Sequence, residues 1–223
     1  MKKLFRLVMA TAVIFSVASC AKEDISTTLG KGQVEVTFTA NLANLNTRAG
    51  VETFGKGKNV DVLYYYVYDA ANDAYLSALS SSVERGTDGK FTFTLPMMKG
   101  MLYDIVFWAQ AEGAPYSYDP ATKVISVTYG ASNDDTRDAF YKFENDFDPT
   151  AAPQTIQLYR PFAQLNAATN DLDKVQKNLI ALTTSQVTVK AYTQFNLEAG
   201  APVEASLTDV TFTATNIPAN NNI

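Results

Sequence analysis

The spacing of the apolar residues is the feature of this sequence that most constrains its fold. One segment has an apolar side chain at every second position, at Val34, Val36, Phe38 and Ala40, and residues 90–95 repeat this alternation. Successive side chains of a β-strand point to opposite faces, so this spacing predicts strands with one buried face. Residues 60–68 and 101–109 are apolar on both faces, which is typical of strands that are covered on both sides.

Eight segments are predicted to form strands: residues 34–40, 60–68, 90–95, 101–109, 124–129, 154–159, 186–192 and 210–214. Pro96 is expected to end the third of them, and residues 133–148 are expected to form an acidic loop. One helix is predicted to begin at Asn170 or Asp171, with four apolar residues on one face, Leu172, Val175, Leu179 and Ile180. Short strands separated by turns, with one short helix, predict an all-β fold, a β-sandwich of about seven to eight strands.

The composition excludes several kinds of catalytic site. The 223 residues include no His and one Cys, so a Ser-His-Asp or Cys-His arrangement, an imidazole metal ligand and a Cys-rich zinc site are impossible. The net charge is -5 and no basic block is present, which argues against nucleic acid as a partner. The sequence therefore predicts a protein that is not an enzyme, with no catalytic residue, no metal and no cofactor.

Three features have a second interpretation. Six carboxylates form two clusters, Asp134, Asp135 and Asp138, and Glu144, Asp146 and Asp148. Neither cluster has the spacing of a calcium-binding loop, so solvated acidic loops are favoured. Trp108 lies in a strongly apolar segment, which favours a core position over a platform for carbohydrate. A carboxylate pair for glycoside hydrolysis stays open, because the separation of such a pair depends on the fold.

The N-terminus has the pattern of an export signal. Lys2, Lys3 and Arg6 precede a run of eleven mostly apolar residues, 7–17, which is too short to span a bilayer and fits a secretory signal. Residues 17–20, Val-Ala-Ser-Cys, resemble a bacterial lipobox, so residues 1–19 are predicted to be a lipoprotein signal peptide and Cys20 the lipidated first residue. The alternative is an ordinary signal peptide with an incidental Cys.

The mature chain is predicted to be a tether, residues 20–32, followed by a single domain, residues 33–223. Residues 22–24, Lys-Glu-Asp, resemble a surface-export signal of lipoproteins in Gram-negative anaerobes. Removing residues 1–19 takes away three positive charges and changes the net charge from -5 to -8.

The lipobox, the tether, the first strand and an exposed Thr-Arg-Ala step at residues 47–49, followed by an all-β domain, together resemble the fimbrillin family. These proteins are subunits of lipoprotein-derived type V pili in Gram-negative anaerobes. Residues 107–110, 138–140 and 160–166 are also similar to segments of fimbrillin-like lipoproteins. The resemblance implies a transthyretin-like β-sandwich, usually followed by a second such domain, which this chain is expected to lack.

The resemblance further implies a non-enzymatic structural, anchor or tip component of a pilus. Cys20 would anchor it by lipid in the outer membrane, at the cell surface, and after processing it would belong to the pilus. Its partners would be other fimbrillin-like subunits and, beyond them, ligands on host or bacterial surfaces. The alternative function is that of a glycan-binding surface lipoprotein of the outer membrane.

Arg48 and Ala49 stand where the family has its arginine-specific processing site. A cut there would release residues 20–48, with the lipid and the strand that carries Val34, Val36, Phe38 and Ala40. The loss would expose unpaired backbone groups along one sheet edge, to which a strand of another subunit could add. The alternative is that Arg48 is an ordinary basic residue in an exposed loop.

Lipid attachment is predicted to depend on Cys20. We expect Cys20→Ser to leave the full chain without lipid and outside the membrane fraction, because the thiol is the group that is acylated. Fractionation and intact mass measure this, and a variant that still needed detergent for extraction would contradict the lipobox interpretation.

Overall fold

The computed structural model describes residues 32–43, 57–132, 135–150, 154–162 and 184–214. Its strands are β1 (Gln33–Leu42), β2 (Val62–Asp69), β3 (Ala74–Tyr75), β4 (Ser81–Glu84), β5 (Phe91–Met98), β6 (Tyr103–Gln110), β7 (Tyr116–Asp119), β8 (Val124–Val127), β9 (Ala139–Phe147), β10 (Gln154–Leu158), β11 (Ser185–Tyr192), β12 (Gln194–Asn196), β13 (Ala201–Pro202) and β14 (Leu207–Ala214). The helices in these ranges are three short 3-10 helices, Ser77–Leu79, Asp135–Arg137 and Glu204–Ser206.

The predicted all-β fold class is confirmed, and each of the eight predicted strands occurs. Most of the additional strands have two to four residues, which is too short for a period to be recognised. The helix predicted from Asn170 or Asp171 lies outside the described residues, as do Cys20, Arg48 and Ala49.

The described strands form three sheets and a two-stranded ribbon. The front sheet has the order β10-β1-β5, and the back sheet has the order β13-β12-β8-β7. The middle sheet has β6 between β2 and β9, while β3 and β4 both pair with the outer edge of β2. The ribbon consists of β11 and β14.

β6 is the central strand, and all eight of its residues are buried. Because side chains alternate along a strand, Ile105 and Phe107 pack against the front sheet while Val106 and Trp108 pack against the back sheet. The front core contains further apolar residues of β1, β2, β5 and β10: Val36, Phe38, Ala40, Leu63, Val67, Phe91, Leu95, Met97, Ile156 and Leu158. The back core adds Tyr68, Ile125, Ala139, Phe195 and Leu197. The middle sheet is therefore covered on both faces.

β9 shows that the prediction of an acidic loop for residues 133–148 is wrong over most of its length. Polar residues in its second half hide the alternation that would have indicated a strand. A β-bulge shifts the register between Tyr103 and Ile105 and returns Phe147 to the front core. Asp146, in the bulge, has a φ of 52°, and its N–H donates to Oδ1 of Asp104 at 2.9 Å.

The expectation that Pro96 ends its strand is also wrong. β5 continues through Pro96 to Met98, and Pro96 lies opposite Glu35 of β1. Among the described strands, β5 is at an edge of the front sheet, where a residue without an N–H is tolerated because its outer side has no ladder to complete.

Truncation of a front-core side chain on β1 should destabilise the protein strongly. We expect Phe38→Ala to lower the free energy of unfolding by about 3–5 kcal/mol, because it removes a fully buried ring and leaves a cavity. Glu35→Ala, at an exposed position of the same strand, is the control and should leave stability nearly unchanged. Denaturant unfolding measures both, and equal losses would contradict the assignment of the two faces of β1.

Candidate functional site

β1 and the strands that hold it form the candidate functional site. β1 pairs antiparallel with β5 from Gln33↔Met98 to Ala40↔Phe91. On its other side it pairs parallel with β10, from Phe38↔Gln154 to Leu42↔Leu158. The sequence predicted that loss of this strand would leave one open sheet edge. That expectation is wrong, because β1 is the middle strand and its removal would expose two facing edges.

The inward side chains of β1 fill a pocket in the front core. Val36, Phe38 and Ala40 are buried, and Val34 is partly buried against the same core. The Phe38 ring is stacked on Phe93 with the ring centroids 5.3 Å apart, and its centroid is 5.2 Å from that of Phe147. The pocket therefore takes an aromatic ring at position 38 and a small side chain at position 40.

Residues 44–56, which include the candidate processing pair Arg48 and Ala49, connect two points that the fold holds close together. β1 ends where the N–H of Ala43 donates to the carbonyl oxygen of Leu158 at 2.8 Å. The described chain resumes at Gly57, where a Cβ would lie 2.7 Å from Cδ1 of Leu42. Gly57 has a φ of 67°, a backbone conformation that favours glycine, and a Cβ there would also displace the end of the Leu42 side chain.

Gly57 is fixed by side chains that do not belong to β1. Its N–H donates to Oδ2 of Asp138 at 2.7 Å, and its carbonyl oxygen accepts from Nη1 of Arg85 at 2.9 Å. Asp138 is in turn paired with Arg160, whose Nη2 lies 2.6 Å from Oδ1 of Asp138. Asp138, which the sequence placed in a solvated acidic loop, is thus part of a largely buried ion pair.

Lys123 joins the back sheet to the middle sheet. Its ammonium group lies 2.5 Å from Oδ1 of Asp73 and 2.8 Å from Oε1 of Glu198, and it also faces the ring of Tyr68 at 4.9 Å. Burial lowers the pKa of Lys123, but its hydrogen bonds with the two carboxylates and their negative charges more than offset this, so the net pKa is raised.

Carboxylate oxygens of Asp73, Asp104 and Glu198 lie within 4.8 Å of one another. Two of these carboxylates are paired with the Lys123 ammonium group, so the chain supplies a cation of its own there. Sequence reasoning missed this cluster, because Lys123 and Glu198 are 75 residues apart and no local pattern connects them.

A tyrosine pair completes the contact between the two sheets. The hydroxyl of Tyr68 lies 2.6 Å from that of Tyr118 and also donates to the carbonyl oxygen of Pro120. Burial raises the pKa of Tyr68 to about 12, although the hydrogen bond with Tyr118 and the charge of Lys123 oppose the shift. Burial also raises the pKa of Tyr66 and, together with the bond to Tyr68, that of Tyr118.

Trp108 is in the core, as the sequence predicted. It is 0% exposed, and its Nε1 donates to Oε1 of Gln110 at 2.7 Å. Its ring packs edge-on against Tyr116 of the back sheet. Trp108 is therefore not available as a stacking surface for a carbohydrate.

The chain belongs to a protein family of unknown function, DUF6562, which matches residues 26–222. Among curated proteins, none matches this chain in sequence. In the part of the chain that the structure describes, no helix has the length and hydropathy needed to cross a membrane.

Three solved structures are similar in part. The tip fimbrial protein Mfa3 of Porphyromonas gingivalis, with a C-terminal truncation, is 12% identical to this chain, with a TM-score of 0.43. The match covers 85% of this chain and 66% of Mfa3, so this chain spans just under two thirds of the length of Mfa3. The fimbrial anchor protein Mfa2 of the same organism is 14% identical with a TM-score of 0.42, covering 84% of this chain and 75% of that one. A candidate adhesin from Bacteroides ovatus is 10% identical with a TM-score of 0.47, covering 83% and 68%. At sequence identities and TM-scores this low, the similarity to these three structures assigns no function to this chain.

Removal of the Lys123 ammonium group should weaken the contact between the middle and back sheets. We expect Lys123→Met to lower the free energy of unfolding by about 1–3 kcal/mol, because the carboxylates of Asp73 and Glu198 lose their hydrogen-bonded cation. The control is Lys190→Met, which removes the ion pair with Asp209 on the exposed ribbon and should change stability little. Equal effects in denaturant unfolding would contradict a structural role for Lys123.

The stability of the protein should fall as the pH rises above about 10. An unfolded tyrosine loses its proton near pH 10, whereas folded Tyr68 keeps its proton to about pH 12, so the folded state binds more protons in this window. The raised pKa values of Tyr66, Tyr118 and Lys123 act in the same direction. We expect Tyr68→Phe to make the decline between about pH 10 and about pH 12 shallower. Urea unfolding at several pH values measures this, and an unchanged slope would contradict it.

Proposed function

We propose that this chain is a non-enzymatic surface lipoprotein that acts as a structural, anchor or tip component of a pilus and joins other subunits by exchange of a β-strand. The observation that carries the proposal is the position of β1. It is the first strand of the described fold, it is the middle strand of its sheet, and its covalent link to the remaining strands runs through residues 44–56. One cut after Arg48 would leave β1 held by backbone pairing and side-chain burial alone.

The slot left by β1 would be selective for an incoming strand. Such a strand must run parallel to β10 and antiparallel to β5 to restore both ladders. Its inward residues must match the pockets of Val36, Phe38 and Ala40, with the aromatic ring in the middle. Backbone pairing gives affinity and the alternate pockets give specificity, as in other cases of strand addition. The proposed partner is a strand of another fimbrillin-like subunit.

Gly57, which would lie close to the new N-terminus after the cut, is held by side chains outside β1. Gly57 is fixed by Asp138 and Arg85, which lie beside the start of β9 and in the turn that follows β4. A new N-terminus at Ala49 would therefore be followed closely by an anchored residue. Before the cut, the lipid at Cys20 would place the protein at the outer membrane and cell surface, where host or bacterial ligands are its proposed further partners.

The alternative function, a glycan-binding surface lipoprotein, had Trp108 as its main candidate residue. A solvent-facing Trp108 would have favoured it, and Trp108 is buried between the middle and back sheets. We therefore retain the pilus component as the proposed function.

Arg48 should be the preferred site of an arginine-specific protease. Arg85, Arg137 and Arg160 each use the guanidinium group in hydrogen bonds within the fold, so cleavage after them is expected to be slower. Limited proteolysis of the mature chain, which starts at Cys20 and therefore lacks Arg6, should give one early cut, and Arg48→Ala should remove it. If Arg48 resists cleavage, or if the early cut persists in the variant, the processing model is wrong for this chain.

The cut protein should accept a labelled peptide that copies residues 34–40, because the peptide can restore the ladders and refill the pockets. Uncut Arg48→Ala should not bind it, since its slot is occupied by β1. A peptide with Phe38 replaced by Ala is the matched control and should bind at least about tenfold more weakly, because it leaves the ring pocket empty. Equal binding of the two peptides, or none to the cut protein, would contradict strand exchange.

A further inference from the structure

The turn between β5 and β6 lies where the predicted tether joins the fold. The N–H of Lys99 donates to the carbonyl oxygen of Gly32 at 2.8 Å, immediately before β1 begins. A Cβ on Gly32 would lie 3.5 Å from Cε of Met98. Residues 98–102 therefore mark one end of the sandwich, which we call the tether end.

This turn exposes apolar side chains that the core does not use. Met98 is 38% exposed and Leu102 is 44% exposed, and they are two of the five large apolar or aromatic residues exposed in the described ranges. Gly100 has a φ of 79°, and apart from Gly100 and its two chain neighbours no described residue has an atom within 4 Å of the place that a Cβ would take there, so the turn faces open space at this point. Two exposed apolar residues flanking Lys99 on one projecting turn are the pattern of an interfacial contact.

The neighbouring turn adds to the same end. The N–H of Ala70 donates to the carbonyl oxygen of Leu102 at 3.1 Å, which ties the turn between β2 and β3 to residues 98–102. That turn leads into Tyr75, which is 38% exposed. Tyrosine has an apolar ring and a polar hydroxyl, which suits the boundary between lipid and water.

We propose that the turn at residues 98–102 contacts the lipid bilayer in which Cys20 is anchored, with the side chains of Met98 and Leu102 in the interfacial layer. This inference rests on the lipoprotein part of the proposed function. Gly32 is twelve residues after Cys20 in the sequence, so the tether reaches at most about 40 Å. A tether of this length raises the effective concentration of the turn at the bilayer, so that even a small apolar contact is repeatedly formed.

The contact must be apolar and not electrostatic, because the mature chain carries a net charge of -8. It would also orient the molecule. β1 has ten residues and so spans about 30 Å, which places the start of residues 44–56 at the far end of the sandwich. Contact of this turn with the bilayer would thus hold residues 44–56 away from the membrane, where a soluble protease could reach Arg48.

The test uses the lipidated mature chain in neutral vesicles of phosphatidylcholine and phosphatidylethanolamine. Leu102→Cys is compared with Leu207→Cys, because Leu207, on the ribbon, is 43% exposed and matches the exposure of Leu102. When Cys20 is lipidated its sulfur is blocked, so the introduced thiol alone takes an environment-sensitive fluorophore. We expect the label at 102 to be at least about threefold less accessible to an aqueous quencher than the label at 207, and to be quenched by nitroxide-labelled lipid.

A second arm separates this inference from lipid attachment. The mature chain with Cys20→Ser and an N-terminal histidine tag is held on nickel-chelating vesicles and carries the same two labels. Intact mass of the protein with Cys20 shows whether that residue is lipidated. If it carries no lipid but the label at 102 is protected in the tagged variant, the lipoprotein proposal fails and the proposed membrane contact of residues 98–102 is supported. Equal accessibility of the two labels to the aqueous quencher in this arm would contradict membrane contact of residues 98–102. Protection at 102 without quenching by labelled lipid would also contradict membrane contact, by indicating that a second copy of the chain covers the turn.

Discussion

The complete burial of β6 is the constraint on which the rest of the structure depends. A strand with all eight residues buried cannot present a polar face, so the middle sheet needs a layer on each side. The polar groups of β6 are satisfied within the fold: Asp104 accepts from the N–H of Asp146, and Gln110 accepts from Nε1 of Trp108. Burial of these groups is tolerated because each has a hydrogen-bond partner.

The two layers are attached to the middle sheet by different interactions. Within the described residues, β1 contributes apolar side chains to the front core and no ion pair, and its single charged residue, Glu35, is exposed. The back sheet is held by Lys123 and by the hydroxyls of Tyr68 and Tyr118, in addition to its apolar contacts. Burial is not directional, so under the proposed exchange a strand with the same alternation would fill the same pockets. The hydrogen bonds and ion pairs between side chains of the middle and back sheets lie in the part of the fold that would remain.

The sequence predicted individual strands better than it predicted their neighbours. Alternation at Val34, Val36, Phe38 and Ala40 identified both β1 and its buried face. It could not reveal that β10, far along the chain, pairs with β1 in parallel, since pairing partners are set by the whole fold. β9 was missed because polar residues in its second half hide the alternation, and a bulge at Asp146 breaks the period near its end.

Side-chain clusters were the least predictable part, because their members come from distant segments. Lys123 looks like an ordinary solvated lysine in the sequence, and it becomes buried only when Asp73 and Glu198 approach from two other turns. Asp138 looks like one of several loop acids until Arg160 is brought beside it. Both clusters hold chain segments other than β1, and Asp138 fixes Gly57 directly. The fold therefore combines a first strand that is bonded through its backbone and apolar side chains with a remainder that has charged contacts of its own, at Lys123 and at Asp138. β5 and β10 have β1 as their shared partner, so under the proposed exchange an incoming strand must take its place to restore the front sheet.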